Sequence, residues 1–270
     1  QHAFASLGGM ALRERWVREG DLERLFTISR EEDDLLREPH PRGLAVLSSH
    51  VGDWEMAHHY LALRGIPVAV VTRRISNRFL DREITRLRSL RGARTIPKRG
   101  ALAGIRSTLR RGEAAGVLAD QNCPARERFF DFFGVPASTY TEYARVLVRS
   151  GARALFIACP REGFRFRFRI IVRDLGAGLP DFTGMSRREA ARLRADELVR
   201  RYIKATEELV REQPDQYLWM HRRWKSRPTG TPWLYHDLGE PLDPRTLEPD
   251  GAEGAARNAD QNAARNAVEP

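Results

Sequence analysis

Gly43-Leu44-Ala45-Val46-Leu47-Ser48-Ser49-His50-Val51-Gly52-Asp53-Trp54-Glu55 changes its hydrophobic period within thirteen residues. Gly43 to Leu47 is a short apolar run behind Pro41, the composition of a parallel strand buried on both faces. From Trp54 onward Ala57, His58 and Leu61 recur at helical spacing, until Gly65 and Pro67 supply a stop. A strand that passes into a helix through a turn is the building unit of open α/β sheets, and the turn is where such sheets place chemistry. On one continuous helix, positions five apart point roughly 140° away from each other. His50 and Glu55 can therefore meet only if His50 precedes the first helical turn. Gly52 eases the bend, and the helix N-terminus favours nearby negative charge.

A histidine, with an ordinary pKa of about 6.5, can take a proton from a hydroxyl near neutral pH. A carboxylate on its other nitrogen fixes the tautomer and stabilises the imidazolium. The pair is the base-and-orienter half of a catalytic triad, and no nucleophilic Ser or Cys is required when the activated hydroxyl belongs to the substrate. Glu55 is the expected orienter and Asp53 a competing partner. The reading without chemistry is that His50 and Glu55 cap the helix.

The pattern repeats along the chain. Ile66 to Val71 reads as a second buried strand, and residues 77–91 as a helix with Phe79, Leu80, Ile84, Leu87 and Leu90 inward. A strand follows at 94–97, a helix at 101–111, and a strand at 115–119 that ends in Asp120-Gln121-Asn122. Residues 141–150 read as a helix closed by Gly151, and 152–159 as another buried strand. Phe164 to Ile170 alternates Phe and Arg, which predicts a half-exposed antiparallel strand. A long helix over 186–212 opens on a Ser186/Glu189 capping box and turns Leu193, Leu198, Tyr202, Ile203 and Leu209 inward. Residues 10–38 read as one or two amphipathic helices. The expected fold is α/β: one domain over 1–236 with a mostly parallel central sheet flanked by helices. His50, Thr72-Arg73 and Asp120-Gln121 should then converge on one sheet edge.

The chain has 270 residues, 41% hydrophobic and 30% charged, enough for one substantial core. No apolar run reaches the ~18 residues that would span a bilayer. Two cysteines, Cys123 and Cys159, form no disulfide framework or metal spacing, which fits a reducing compartment. His50, His58 and His59 do not read as a zinc site, because adjacent helical histidines diverge by about 100°. Residues 237–270 carry eight acidic and three basic side chains and almost no aromatic ones, the composition of a disordered acidic tail. That leaves 43 basic against 28 acidic residues on 1–236. Arginine supplies nearly all of this charge, which suits phosphates of nucleic acid, anionic lipid or an acidic carrier protein. No nucleic-acid signature accompanies it, so a basic nucleic-acid module is the rival reading and no nucleic-acid partner is expected.

His50-Val51-Gly52-Asp53-Trp54-Glu55 resembles the HX4(D/E) signature of the glycerolipid-type acyltransferases. Further segments follow in the matching order: Thr72-Arg73-Arg74-Ile75-Ser76-Asn77, Arg88 with Gly92, Ala119-Asp120-Gln121-Asn122, Phe132-Phe133-Gly134-Val135-Pro136-Ala137-Ser138-Thr139, and Gln216-Tyr217-Leu218-Trp219-Met220-His221-Arg222-Arg223-Trp224-Lys225. As a set, over residues 1–227, they are similar to the bacterial lipid A secondary acyltransferases of the lauroyl/myristoyl type, including phosphatidylinositol mannoside acyltransferase relatives. The phosphate motif of the glycerol-3-phosphate branch has no counterpart, which favours the lipid A branch.

The resemblance implies transfer of a fatty acyl chain from an acyl carrier protein or coenzyme A thioester to a hydroxyl of an anionic membrane glycolipid, a lipid A precursor first among acceptors. A phosphatidylinositol mannoside or other polar lipid is the alternative acceptor. No cofactor is implied beyond that donor. The implied catalytic residues are His50 as base, Glu55 as orienter and Arg88 at the oxyanion, with Arg73 as second choice there. Arg73, Asn77, Asp120, Gln121, Gly134 and Thr139 are the implied substrate-binding set. Family members usually begin with a membrane-spanning helix. This chain opens at Gln1 already within family-like sequence, so a native N-terminal membrane helix is expected to be missing from it. The expected location is the cytoplasmic face of the bacterial inner membrane, with Trp219 and Trp224 at the lipid interface or in the core.

Overall fold

The computed structural model describes residues 22–235 apart from 90–91, 125–127 and 164–165. The expected acidic tail and most of the expected 10–38 helical region lie outside the described residues. Seven helices among these residues surround a mostly parallel six-stranded sheet. Helix α1 (Leu22–Leu25) and strand β1 (Phe26–Thr27) lead into α2 (Arg30–Arg37). Ser29 caps α2 in a reciprocal box with Glu32. Strand β2 (Leu44–Ser48), helix α3 (Trp54–Leu63) and strand β3 (Val68–Thr72) form the first β-α-β unit. The unit continues through α4 (Arg78–Ser89), β4 (Arg94–Pro97), α5 (Ala101–Arg110) and β5 (Ala114–Leu118). A hairpin, β6 (Phe129–Phe132) and β7 (Val135–Ser138), precedes α6 (Glu142–Ser150), β8 (Arg153–Ala158), β9 (Phe168–Arg169) and β10 (Ile171–Asp174). The last helix, α7, spans Arg187–Glu212.

The sheet order is β10-β8-β2-β5-β3-β4, with all neighbours parallel except β10 against β8. Every residue of β2 is buried, as a central parallel strand requires. Its side chains alternate between two cores. Ala45 and Leu47 pack with α5, α6 and α7, while Leu44 and Val46 pack with α1, α2 and α3. β2 and β5 lie side by side, but α3 leaves β2 over one face and α6, the helix preceding β8, covers the other. Such a divergence opens a crevice at the strand C-termini.

Three expectations change. Phe79 and Leu80, expected inward, are exposed at the start of α4, which buries Ile84 and Leu87. The antiparallel strand is β10, after the Phe/Arg stretch, whereas Phe168-Arg169 pairs in parallel with Phe26-Thr27 and buries Phe168. Residues 164–165 lie outside the described set. At α7, Ser186 accepts from the Glu189 N–H, but the reciprocal half of the box is formed at α2.

Candidate active site

His50 leaves the end of β2 before the helix begins, as convergence with an acidic partner demands. Backbone bonds hold it from two sides. Its carbonyl accepts from the Leu218 N–H at 3.0 Å, and Gly52 and Asp53 donate to the carbonyls of Gln216 and Cys159. Gly52 adopts φ of 69°, and a Cβ there would stand 2.5 Å from the Cys159 carbonyl oxygen, so glycine is required for both conformation and space. Asp53 is the α3 N-cap and accepts from Met56 N–H at 3.3 Å. Helix capping thus falls to Asp53, and neither His50 nor Glu55 does it.

The carboxylate that meets His50 is Asp120. His50 Nδ1 lies 2.7 Å from Asp120 Oδ1, and the His50 backbone N–H donates to Asp120 Oδ2 at 2.9 Å. This corrects the expected His50–Glu55 pairing, and it has a register cause. Ser48 of β2 pairs with Leu118 of β5, so two residues beyond each strand His50 and Asp120 stand opposite one another. Tyr202 of α7 completes the frame: its hydroxyl donates to the Ser48 carbonyl at 2.7 Å and accepts from the Ala119 N–H at 3.2 Å. The hydroxyl replaces the next ladder rung where the two strands part. Sequence reasoning placed Tyr202 on the inward face without a role. The available signal was that a buried phenol among apolar neighbours must find a partner.

The His50 side chain is 16% exposed and that of Asp120 is 3% exposed. Burial opposes a charge on His50, but the Asp120 carboxylate, aided by Glu55, outweighs it and holds the imidazole above its ordinary value. Burial likewise opposes ionisation of Asp120, and the His50 ring and backbone override it, so that carboxyl sits below the usual range. With Nδ1 bound to Asp120, Nε2 has no protein partner among the described residues and is the nitrogen that can accept a proton. Trp54 packs edge-on to the ring, with centroids 4.8 Å apart.

Glu55 sits one layer behind, in the first turn of α3. Arg88 of α4 grips it with two donors, Nε at 3.0 Å to Oε2 and Nη2 to Oε1. His58 Nδ1 lies 3.7 Å from the same carboxylate. Burial pushes Glu55 toward neutrality, but the hydrogen bonds and charge of Arg88 keep it ionised and below its ordinary value. His58 is buried and pushed down to about 3 by that burial, with His59 and Arg88 adding repulsion, so it is neutral. Arg88, implied as the oxyanion ligand, directs its Nε and Nη2 donors to Glu55.

The other expected residues separate. Arg73 and Gln121 are exposed at the C-terminal ends of β3 and β5. Asn77 accepts from the Phe79 and Leu80 N–H groups at 3.0 and 3.1 Å, so its side chain caps α4. Gly134 follows Phe133 in a two-residue hairpin turn in which both have positive φ, a type I′ requirement rather than a contact surface. Thr139 is fully buried and accepts from Arg223 Nη2 at 2.6 Å. Arg223 also donates to the Ser138 carbonyl at 2.6 Å and lies over the Phe132 ring.

The segment from Gln216 to Lys225, expected as a closing family match with Trp219 and Trp224 at the lipid interface or in the core, forms one wall of the edge together with Ser226. Besides Leu218 to His50, the Asn122 N–H donates to His221 Nε2 at 2.8 Å, and Asn122 and Ser226 exchange two bonds at 3.0 Å. Nothing in residue spacing signals this, since the partners lie 99 to 168 positions apart. No helix among the described residues is long and apolar enough to cross a membrane.

The family model for bacterial lipid A biosynthesis acyltransferases matches residues 14–226. The chain belongs to that family, which makes it an acyltransferase. No curated protein matches it.

Proposed function

We propose that this acyltransferase moves a fatty acyl chain from a thioester of acyl carrier protein or coenzyme A to a hydroxyl of a membrane glycolipid, with a lipid A precursor as acceptor. The observation that carries the reading is the His50–Asp120 pair, with Nε2 unpartnered at the sheet edge. The acceptor oxygen attacks the thioester carbon while Nε2 takes its proton, and Asp120 stabilises the imidazolium. The carbonyl electron pair moves onto oxygen. On collapse the C=O bond re-forms, the C–S bond breaks, and the thiolate leaves with the proton from His50, giving ester and thiol. Glu55–Arg88 is a fixed ion pair that sets the field behind this dyad rather than a relay. Asn77, Gly134 and Thr139 act as scaffold, leaving Arg73 and Gln121 as the expected groups to meet the acceptor.

The same edge supports contact with a lipid surface at the cytoplasmic face of the inner membrane. Phe79 is 84% exposed and Met220 72% exposed, with Leu80 and Trp219 also exposed beside them in sequence. Arg73, Arg74, Arg78 and Arg82 are exposed around the first pair. Apolar anchors ringed by cations suit an anionic bilayer. The deciding experiment combines the purified protein with a labelled acyl thioester and a lipid A precursor: transfer is expected in the parent and abolished in His50→Ala. Turnover retained in that variant refutes the base assignment. Mass spectrometry of lipids from cells lacking the protein then identifies acceptor and chain length, a phosphatidylinositol mannoside losing its acyl chain being the outcome that overturns the lipid A reading.

A further inference from the structure

A thioester carbonyl turning tetrahedral needs a donor aimed at its oxygen, and Arg88 directs Nε and Nη2 to Glu55. A second imidazole stands at the same edge. His221 is half-buried, and its Nε2 receives the backbone N–H of Asn122 at 2.8 Å. A backbone N–H can only donate, so Nε2 must hold a lone pair, and the neutral ring carries its proton on Nδ1. That N–H has no protein partner among the described residues.

Its placement follows from the frame that holds His50. Asn122 lies two residues past Asp120, whose carboxylate fixes His50, and Leu218, three residues before His221, binds the His50 carbonyl. The His221 N–H turns back to the Leu218 carbonyl at 3.1 Å, which closes the loop on this edge. The charged groups that act on the ring are Asp120, His50, Arg223 and Lys225. Burial dominates and lowers the His221 pKa; Asp120 opposes this, while the three cationic groups reinforce it. Once His50 has taken the acceptor proton, its charge makes a second proton on His221 harder still, so the donor keeps one tautomer through the reaction.

We propose that His221 is a second catalytic residue, donating from Nδ1–H to the carbonyl oxygen of the thioester as that oxygen gains charge. The proposal rests on the reading of His50 as base. The negative charge created by attack is held by this hydrogen bond and returns to the carbonyl when the thiolate departs, so His221 gains and loses no proton. The role is that of a neutral imidazole electrophile.

The test measures two reactions of the full chain with a fatty acyl-coenzyme A thioester: transfer to the lipid acceptor, and slow hydrolysis without acceptor. Both pass through the same oxyanion. His221→Leu is expected to lower kcat in both by about 100-fold, the typical cost of one oxyanion donor, with KM and the acidic limb of the pH profile unmoved. His221→Gln can still accept from Asn122 and still donate, and is expected to stay within about tenfold of the parent. A His221→Leu plateau rate within about threefold of the parent overturns the proposal. So does a rate loss explained by a shifted acidic limb, which would mean that His221 only positions the Asp120 turn. If His221→Leu does not fold, His221→Gln decides: falling below a tenth of the parent rate overturns the role, and remaining above it supports the role. Turnover surviving in His50→Ala removes the underlying reading as well, whereas a dead His50→Ala beside a normal His221→Leu removes this proposal alone.

Discussion

Two buried carboxylates, five and seventy residues from His50, do opposite jobs. Asp120 is matched to a titratable ring at a reachable edge, and Glu55 to a permanent cation one layer deeper. Both are ionised, but only the first pair can gain and lose a proton during a reaction. The lesson is that an acid next to a catalytic histidine in sequence is not thereby its partner in space, and the partner's chemistry decides whether the pair moves protons or holds structure.

The contrast can be broken most severely at His50 and Asp120. His50→Ala should abolish transfer, a loss of about 10³-fold or more, and should also lower the thermal melt, because it leaves the buried Asp120 carboxylate without its ring partner. Asp120→Asn should cost about 10³-fold in kcat by releasing the tautomer. The sign of its pH effect is defined. A base must be neutral to act, and Asp120 raises the His50 pKa, so the acidic limb of the variant should move to lower pH as its height falls. A limb that stays put would show that Asp120 does not govern His50.

Glu55→Gln sharpens the other side of the comparison. It removes the carboxylate charge facing half-buried Arg88, and the expected result is a loss of about 1–3 kcal/mol of stability, read from denaturant melts. The drop in kcat should be smaller than in Asp120→Asn; an equal drop with no stability change would reverse the two assignments.

His58 gives a pH test of that deeper layer. Its folded pKa of about 3 lies below its ordinary value of 6.5, so the unfolded chain binds more protons between them. Stability from this group is complete above about pH 6.5 and falls by at most about 1.4 kcal/mol per pH unit as pH drops toward 3. His50 has the opposite sign: its contribution is present below 6.5 and lost as pH rises through its raised folded value. His58→Gln should flatten the acid-side slope. The smallest effect is expected from Tyr202→Phe, which opens the rung between Ser48 and Ala119 at about 1–2 kcal/mol and lowers kcat a few-fold.

Much of the fold was legible because its signals are local. The run Leu44 to Leu47, the helical spacing after Trp54, and the stops at Gly65, Gly112 and Gly151 each act within a few residues. The β6–β7 hairpin was less visible: Phe133 takes a positive φ that glycine or asparagine usually fills, and its position is held by Glu207 accepting from its N–H and by Arg211 over its ring. The Phe/Arg alternation suggested a strand, but pairing with residues 26–27 is a long-range event that alternation alone does not specify.

The site divides along the same line. Sequence alone determined that a histidine would leave a buried strand ahead of a helix, with acidic residues and arginines near it, because periodicity and turn chemistry are properties of neighbouring residues. Tertiary structure decided that β5 inserts beside β2, and with that order the acid opposite His50 became Asp120. Strand order is set by which apolar faces α3, α5, α6 and α7 bury across distances of seventy or more residues, and no local pattern carries that information.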